Sequence, residues 1–234
     1  MAEPIDLLAR PVYGIAQVDG LLGLSAGTAR RWIEGYERNG KAFPPVVRER
    51  PTGDELVTWG EFAEARLLAE YRKTGVPMVH MRPAVDALRD ELNVPYPLAY
   101  ASPWLEAEGN EIVRRVQDKV GLKAGLRFVV VRNNQISLNL PIKRFVSAVD
   151  WGEDEEFAQR INPFPDKTPD VWFDPLRRSG DPTVRATPTA VLFEQFRSGD
   201  SVAMLARIYE LSEDWIEQAI RYELLRRGDT AQAA

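Results

Sequence analysis

The chain has 234 residues, 44% hydrophobic and 28% charged, with a formal net charge of −5. With no cysteine and one histidine, disulfide scaffolds, Cys/His zinc sites, cysteine nucleophiles and His-metal clusters are excluded. The acidic balance gives no whole-molecule attraction to nucleic acid, so any DNA binding must come from a local basic surface. The length allows a sizeable core and one to three small domains. No apolar run approaches the roughly 18 residues of a membrane span, and Met1–Asp6 lacks the basic, then greasy, pattern of a secretory leader. A cytoplasmic location with no membrane partner is expected.

Residues 1–12 are expected as a loose lead. From Tyr13 to about Tyr36 two short helices are predicted. Ile15, Val18, Leu21 and Leu22 keep helical spacing. Gly23 then supplies a tight turn, Leu24 a core plug and Ser25 a cap for the next helix. That helix carries Ala29, Trp32 and Ile33 on one face, with Arg30 and Arg31 towards the other. A helix, a Gly-x-Ser turn and a basic second helix is the helix-turn-helix pattern. A small hairpin, or wing, is predicted from Val46-Val47 through the Thr52-Gly53-Asp54 tip to Leu56-Val57-Thr58. Helices follow over Glu61–Lys73, ended by Gly75, and from Pro77 to about Leu92.

Residues 93–162 are expected as a small α+β unit. Val129–Val131 and Gln135–Leu138 flank Asn133-Asn134 as a hairpin. Ile112–Val116 reads as a further strand, Leu140–Val149 as either helix or strand, and the acidic run Glu153–Glu156 as a solvated turn. Residues 163–188 are dense in proline and are expected as an extended linker, with a short strand at Val171-Trp172-Phe173. Helices are predicted at about Thr189–Arg197, Ser201–Tyr209 and Ser212–Arg226, making a three-helix unit over 189–227. Residues 228–234 are expected to be disordered. The fold class is therefore α+β, mainly helical, with units at 13–92, 93–162 and 189–227.

The chain offers two helix-turn-helix candidates. The front one aligns Val18, Asp19, Gly23, Leu24, Ser25, Ala29 and Trp32 with the usual core pattern. Asp19 falls where a small residue normally packs, so it must face solvent, be paired, or alter the packing. The rear one aligns Leu205, Ala206, Glu210, Leu211, Ser212, Ile216 and Ala219, with Glu210 where Gly is usual. Charge separates them. Ser25, Thr28, Arg30 and Arg31, then Arg38, Lys41, Arg48 and Arg50, suit phosphate neutralisation and base reading. The rear second helix opens on Glu213, Asp214 and Glu217, which repel a polyanion and complement the helix dipole. The front unit is expected to bind DNA as a homodimer over two half-sites, and the rear unit to bind protein.

The stretch Tyr13–Leu92 resembles a MerR-like winged helix-turn-helix domain. The residues that carry this are Gly23-Leu24-Ser25, Thr28–Trp32, Leu56–Phe62 and Gly75-Val76-Pro77. The stretch Phe173–Glu223 resembles the short C-terminal helix-turn-helix domain of VapB-like antitoxins, through Asp174-Pro175, Gly180, Pro182, Arg185, Thr187, Gly199–Val202, Ala206, Tyr209, Leu211-Ser212 and Ala219–Glu223. The resemblance implies a type II antitoxin that neutralises a PIN-type ribonuclease toxin and represses its own operon. It implies no catalysis, cofactor or metal. Cations near the toxin's carboxylates, or aromatic anchors, would do the inhibiting. The candidates are Trp172, Phe173, Arg177, Arg178 and Arg185; the aromatics could equally pack between the chain's own units. The rival readings are a ligand-responsive MerR-like regulator with an effector pocket in the middle unit, and an enzyme. Against the enzyme stands the lack of any Walker, Gly-x-Gly-x-x-Gly or Gly-x-Ser-x-Gly motif. His80, Trp32, Trp151 and Trp215 are expected to be structural.

Overall fold

The computed structural model describes residues 7 to 233 apart from 73, 74, 76, 134 and 155, with side chains described to 228. Residues 1–6 of the expected lead, Val76, Asn134 and Glu155 therefore lie outside the described residues. Helices hold about 52% of the chain, and the strands form small sheets of two or three. The lead is structured where it is described. Leu7 and Leu8 are buried, and β1 (Pro11–Gly14) follows.

The front unit then runs α1 (Ile15–Leu21), α2 (Thr28–Ile33), β2 (Tyr36–Arg38), β3 (Lys41–Phe43), β4 (Leu56–Thr58) and α3 (Trp59–Glu70). The hairpin predicted over 46–58 is replaced by two other pairings. β2 pairs with β3, Arg38 opposite Lys41. β4 pairs with β1, Tyr13 opposite Val57. Val46 and Val47 cannot serve as a strand because their backbone is already engaged. Both N–H groups donate to the Trp32 carbonyl, at 2.7 and 3.0 Å, and Arg89 Nη2 donates to the Val47 carbonyl at 2.8 Å. Thr58 and Glu61 form a reciprocal capping box that starts α3. A 3₁₀ turn at Met78–Met81 leads into α4 (Arg82–Leu92). It carries His80 on its exposed side.

The middle unit holds α5 (Ser102–Leu105), α6 (Ala107–Lys119), β5 (Val129–Arg132), β6 (Gln135–Leu138) and α7 (Leu140–Ala148). The strand expected at Ile112–Val116 is part of α6. Gly109, Val113, Val116 and Gln117 are its buried face, a spacing that needs a window longer than five residues to recognise. The Gln117 amide, 1% exposed, clamps β5. It donates to the Val129 carbonyl at 2.8 Å and accepts from Phe128 N at 3.0 Å. The hairpin β5–β6 forms as expected, with Val129 opposite Leu138. The ambiguous 140–149 segment is helical to Ala148, burying Ile142, Phe145 and Ala148. A short pair, β7 (Val149–Asp150) with β8 (Arg160–Ile161), closes the unit.

The proline-rich stretch is not a free linker. It folds into a three-stranded sheet, β9 (Val171–Trp172), β10 (Thr183–Val184) and β11 (Thr187–Pro188), in the order β11-β10-β9. A row of rings runs through it. Tyr13 meets Phe62 at 4.6 Å, Phe62 meets Phe173 edge-on at 5.4 Å, and Phe173 meets Tyr222 at 6.3 Å. Front, linker and rear thus share one apolar seam. The rear unit is α8 (Thr189–Arg197), α9 (Val202–Tyr209) and α10 (Glu213–Ala233). Residues 228–233, expected as disordered, continue α10.

Candidate nucleic-acid interface

The geometry of α1 and α2 resolves the position of Asp19. Gly23 adopts φ +61°, and Leu24 N donates to the Asp19 carbonyl at 2.8 Å, closing α1. Leu24 is buried between the helices. The Asp19 carboxylate then accepts from Gly27 N and Ala29 N, both at 2.7 Å. It satisfies two of the N–H groups that a helix start leaves orphaned. Ser25, expected as the cap, does not fill that role. Its carbonyl accepts from Thr28 N at 3.0 Å and its hydroxyl accepts from Arg72 Nη2 at 3.2 Å. The helix begins two residues later than the Gly-x-Ser pattern suggests, capped at Gly27 rather than Ser25, and the acceptor comes from eight to ten residues upstream.

This start leaves Thr28 half-buried, with Arg30 and Arg31 exposed beyond it. Arg30 is paired with Glu55. Arg31 Nη2 donates to Thr28 Oγ1 at 3.0 Å. Beside α2 stands the β2–β3 hairpin, its exposed tip Arg38-Asn39-Gly40-Lys41. Tyr36 and Phe43 stack at 4.6 Å across the strands and stiffen it. Lys41 lies 5.4 Å from the Phe43 ring centre. Between helix and hairpin runs an open groove of about 540 Å³, lined by Thr28, Arg31, Trp32, Tyr36 and Arg38 among others. Arg50 is exposed in the following loop.

Arg48 does not belong to this surface, and its expected DNA role is corrected. Its side chain is 7% exposed. Arg48 Nε donates to Glu61 Oε1 at 2.6 Å, and Nη2 to the Leu56 carbonyl at 2.7 Å. Nη1 meets Glu34 and donates to Thr52 Oγ1 at 2.6 Å. One guanidinium therefore ties the end of α2, the 48–56 loop and the start of α3. All of its directions are used internally.

Residues 11–85 match the family model described as "Putative DNA-binding HTH domain". Over the whole length, the chain is 39% identical to the "Uncharacterized protein Rv2308" of Mycobacterium tuberculosis across 223 residues, 93% of this chain and 92% of the relative. The chain belongs to the family of Rv2308. A more distant relative in the same organism, 25% identical over 228 residues (90% of this chain, 92% of the relative), carries the name "Putative antitoxin VapB45". The crystal structure of Rv2018 from M. tuberculosis superposes with a TM-score of 0.70 at 24% identity, covering 90% of this chain and 97% of that one. The mixed α/β architecture with an N-terminal helix-turn-helix is thus a fold shared with a solved protein.

In this member of the Rv2308 family the rear helical pair matches the front in backbone only. Leu211 N donates to the Ala206 carbonyl at 3.0 Å, and Glu210 takes the left-handed turn position at φ +55°. Ser212 Oγ accepts from Trp215 N at 3.2 Å and caps α10. Glu213, Asp214 and Glu217 are exposed at that helix start.

The residues expected to touch a protein partner divide. Phe173 is fully buried in the aromatic seam, so its expected role as an anchor is corrected. Trp172 is half-buried with the Arg160 guanidinium 4.9 Å from its ring. Arg178 is exposed in a turn whose Gly180 carbonyl accepts from Tyr13 Oη. Arg177 and Arg185 are exposed and line one cavity with Trp172. Among the described residues no group of three or more His, Asp or Glu side chains is placed to hold a metal ion.

Beneath the site, α3 carries a carboxyl that composition alone does not reveal. Glu64 is fully buried and accepts from Leu98 N at 3.1 Å, while its Oε2 has no partner. Burial pushes its pKa up to about 8, against an opposing pull from Arg89.

Proposed function

We propose that the chain is a DNA-binding antitoxin that represses its own operon, acting without catalysis, cofactor or metal. The observation that carries the DNA half is the placement of Arg31 and Arg38 along one groove beside α2, with Lys41 opposite Arg38 at the hairpin tip. In this reading α2 enters the major groove and the β2–β3 hairpin acts as a MerR-like wing, its cations on the flanking backbone. Arg30 and Arg50 add to the field, and Thr28 faces the base edges. A homodimer places two α2 helices on two half-sites. The name of the VapB45 relative and the exposed Arg177, Arg178 and Arg185 support a toxin partner, a PIN-type ribonuclease, for the surface that carries these arginines. Both activities suit a cytoplasmic protein.

The test is anisotropy titration of the full chain on its own upstream DNA, over a salt series. Arg31→Ala, Arg38→Ala and Lys41→Ala should each weaken binding on all sequences alike and lower the salt slope by about 1. Arg30→Ala with Arg31→Ala should weaken promoter binding yet leave co-purification with the adjacent gene's product intact. Joint loss of both in a folded protein would refute the division of labour.

A further inference from the structure

The cavity that gathers Arg177, Arg185 and Trp172 has a composition the DNA reading does not use. It measures about 310 Å³, and Arg160, Asp170 and Asp174 complete the charged part of its wall. Two of its three guanidiniums have counter-ions. Arg160 Nε donates to Asp150 Oδ2 at 2.9 Å. Arg177 meets Asp174 through Nε at 3.3 Å, which leaves both its terminal nitrogens without a hydrogen bond among the described residues. Arg185 has no carboxylate and no hydrogen bond there. Its guanidinium carbon lies over the Trp215 ring, 4.2 Å from the ring centre, on a backbone held at φ +58°. Asp170 faces the same space but is held by neutral Gln218, whose Nε2 donates to Oδ2 at 3.0 Å.

We propose that this cavity is a binding site for a single carboxylate group, received between the Arg185 fork and the terminal nitrogens of Arg177. A stacked guanidinium keeps its in-plane donors free, and their planar fork matches a carboxylate in two parallel hydrogen bonds. The Trp172 ring supplies an apolar wall for the carbon atoms that carry the acid. Asp170 and Asp174 exclude a polyanion: a nucleic-acid strand would bring neighbouring phosphates past both. One planar monoanion fits where a phosphate chain does not. The carboxylate comes from an acidic side chain of a protein partner or from a free small acid. Only the first source rests on the antitoxin reading.

The test uses the full-length protein labelled for detection of its indole N–H signals, Trp172 being assigned through Trp172→Phe. The probes are propionate, a blocked and otherwise neutral heptapeptide carrying one Glu, and inorganic phosphate. We expect a carboxylate probe to shift the Trp172 signal, and Arg185→Gln to weaken that probe about tenfold. Arg185→Lys, which keeps the charge without the fork, should weaken it nearly as much. Preference for the peptide assigns the acid to a protein partner; preference for propionate assigns it to a free ligand. No shift with either, a shift unchanged in Arg185→Gln, or equal competition by phosphate overturns the site. Toxin co-purification, measured separately, can fail while propionate still binds, so the two readings fall independently.

Discussion

At the front of the chain α1 closes on a hydrogen bond from Leu24 N to the Asp19 carbonyl; at the rear α9 closes on one from Leu211 N to the Ala206 carbonyl. Both bonds span five residues, both turns use a left-handed residue, and both place a leucine between two helices. The side chains then part company. In the front hairpin the slot between the helices holds Asp19, whose carboxylate caps α2 and leaves Arg30 and Arg31 exposed along it. In the rear hairpin the same slot holds Ala206, and the carboxylates have moved to the exposed start of α10. Backbone geometry alone therefore does not say which hairpin suits DNA. The sign of the charge on the exposed face of the second helix does, because a recognition helix meets the polyanion.

The hardest way to break this comparison is to remove Arg48, which has no counterpart at the rear. Arg48→Ala leaves Glu34 and Glu61 facing each other without their cation and should cost about 3–5 kcal/mol, read as a large loss in chemical denaturation. An unchanged midpoint with weakened DNA binding would return Arg48 to the interface. Charge exchange sharpens the contrast directly. Arg31→Glu should abolish measurable promoter binding, whereas Glu213→Lys with Asp214→Lys should leave it unchanged; a gain in the rear variant would make that hairpin a second DNA reader. Asp19→Ala should cost about 1–3 kcal/mol by orphaning two N–H groups. The rear slot, already alanine, gives the reference.

Glu64 tests the floor under the front hairpin. Its folded-state pKa, about 8, lies above the ordinary value of 4.5. The native state thus binds more protons than the unfolded chain between those values. Its contribution is fully present below about pH 4.5 and is lost as pH rises through 8. Glu64→Gln should flatten that decline and raise the melting temperature at pH 8.5 relative to the parent, with little change near pH 5. A parallel pH dependence in both proteins would show that Glu64 ionises normally. The smallest effect is expected at Glu210, held in the left-handed region. Glu210→Gly should stabilise by about 1 kcal/mol, whereas Gly23→Ala should destabilise by a similar amount, as two forms of one turn require.

The helical hairpins, the β5–β6 pair and the opposed charges of the two ends were legible in the residues, because each depends on neighbours a few positions apart. Periodicity records which face of a helix is buried, and a run of charge keeps its sign wherever it is placed. Partner choice was not legible. Val46 and Val47 look like a strand, yet Trp32 and Arg89 take their backbone groups. Arg48 looks like a phosphate contact, yet two glutamates enclose it. Phe173 reads equally as an anchor for another protein or as packing between the chain's own units, and Phe62 and Tyr222 bury it. Each of these outcomes required a contact that chain proximity does not supply. A buried charge or ring goes wherever the assembled core can satisfy it, and only the tertiary structure determines where that is.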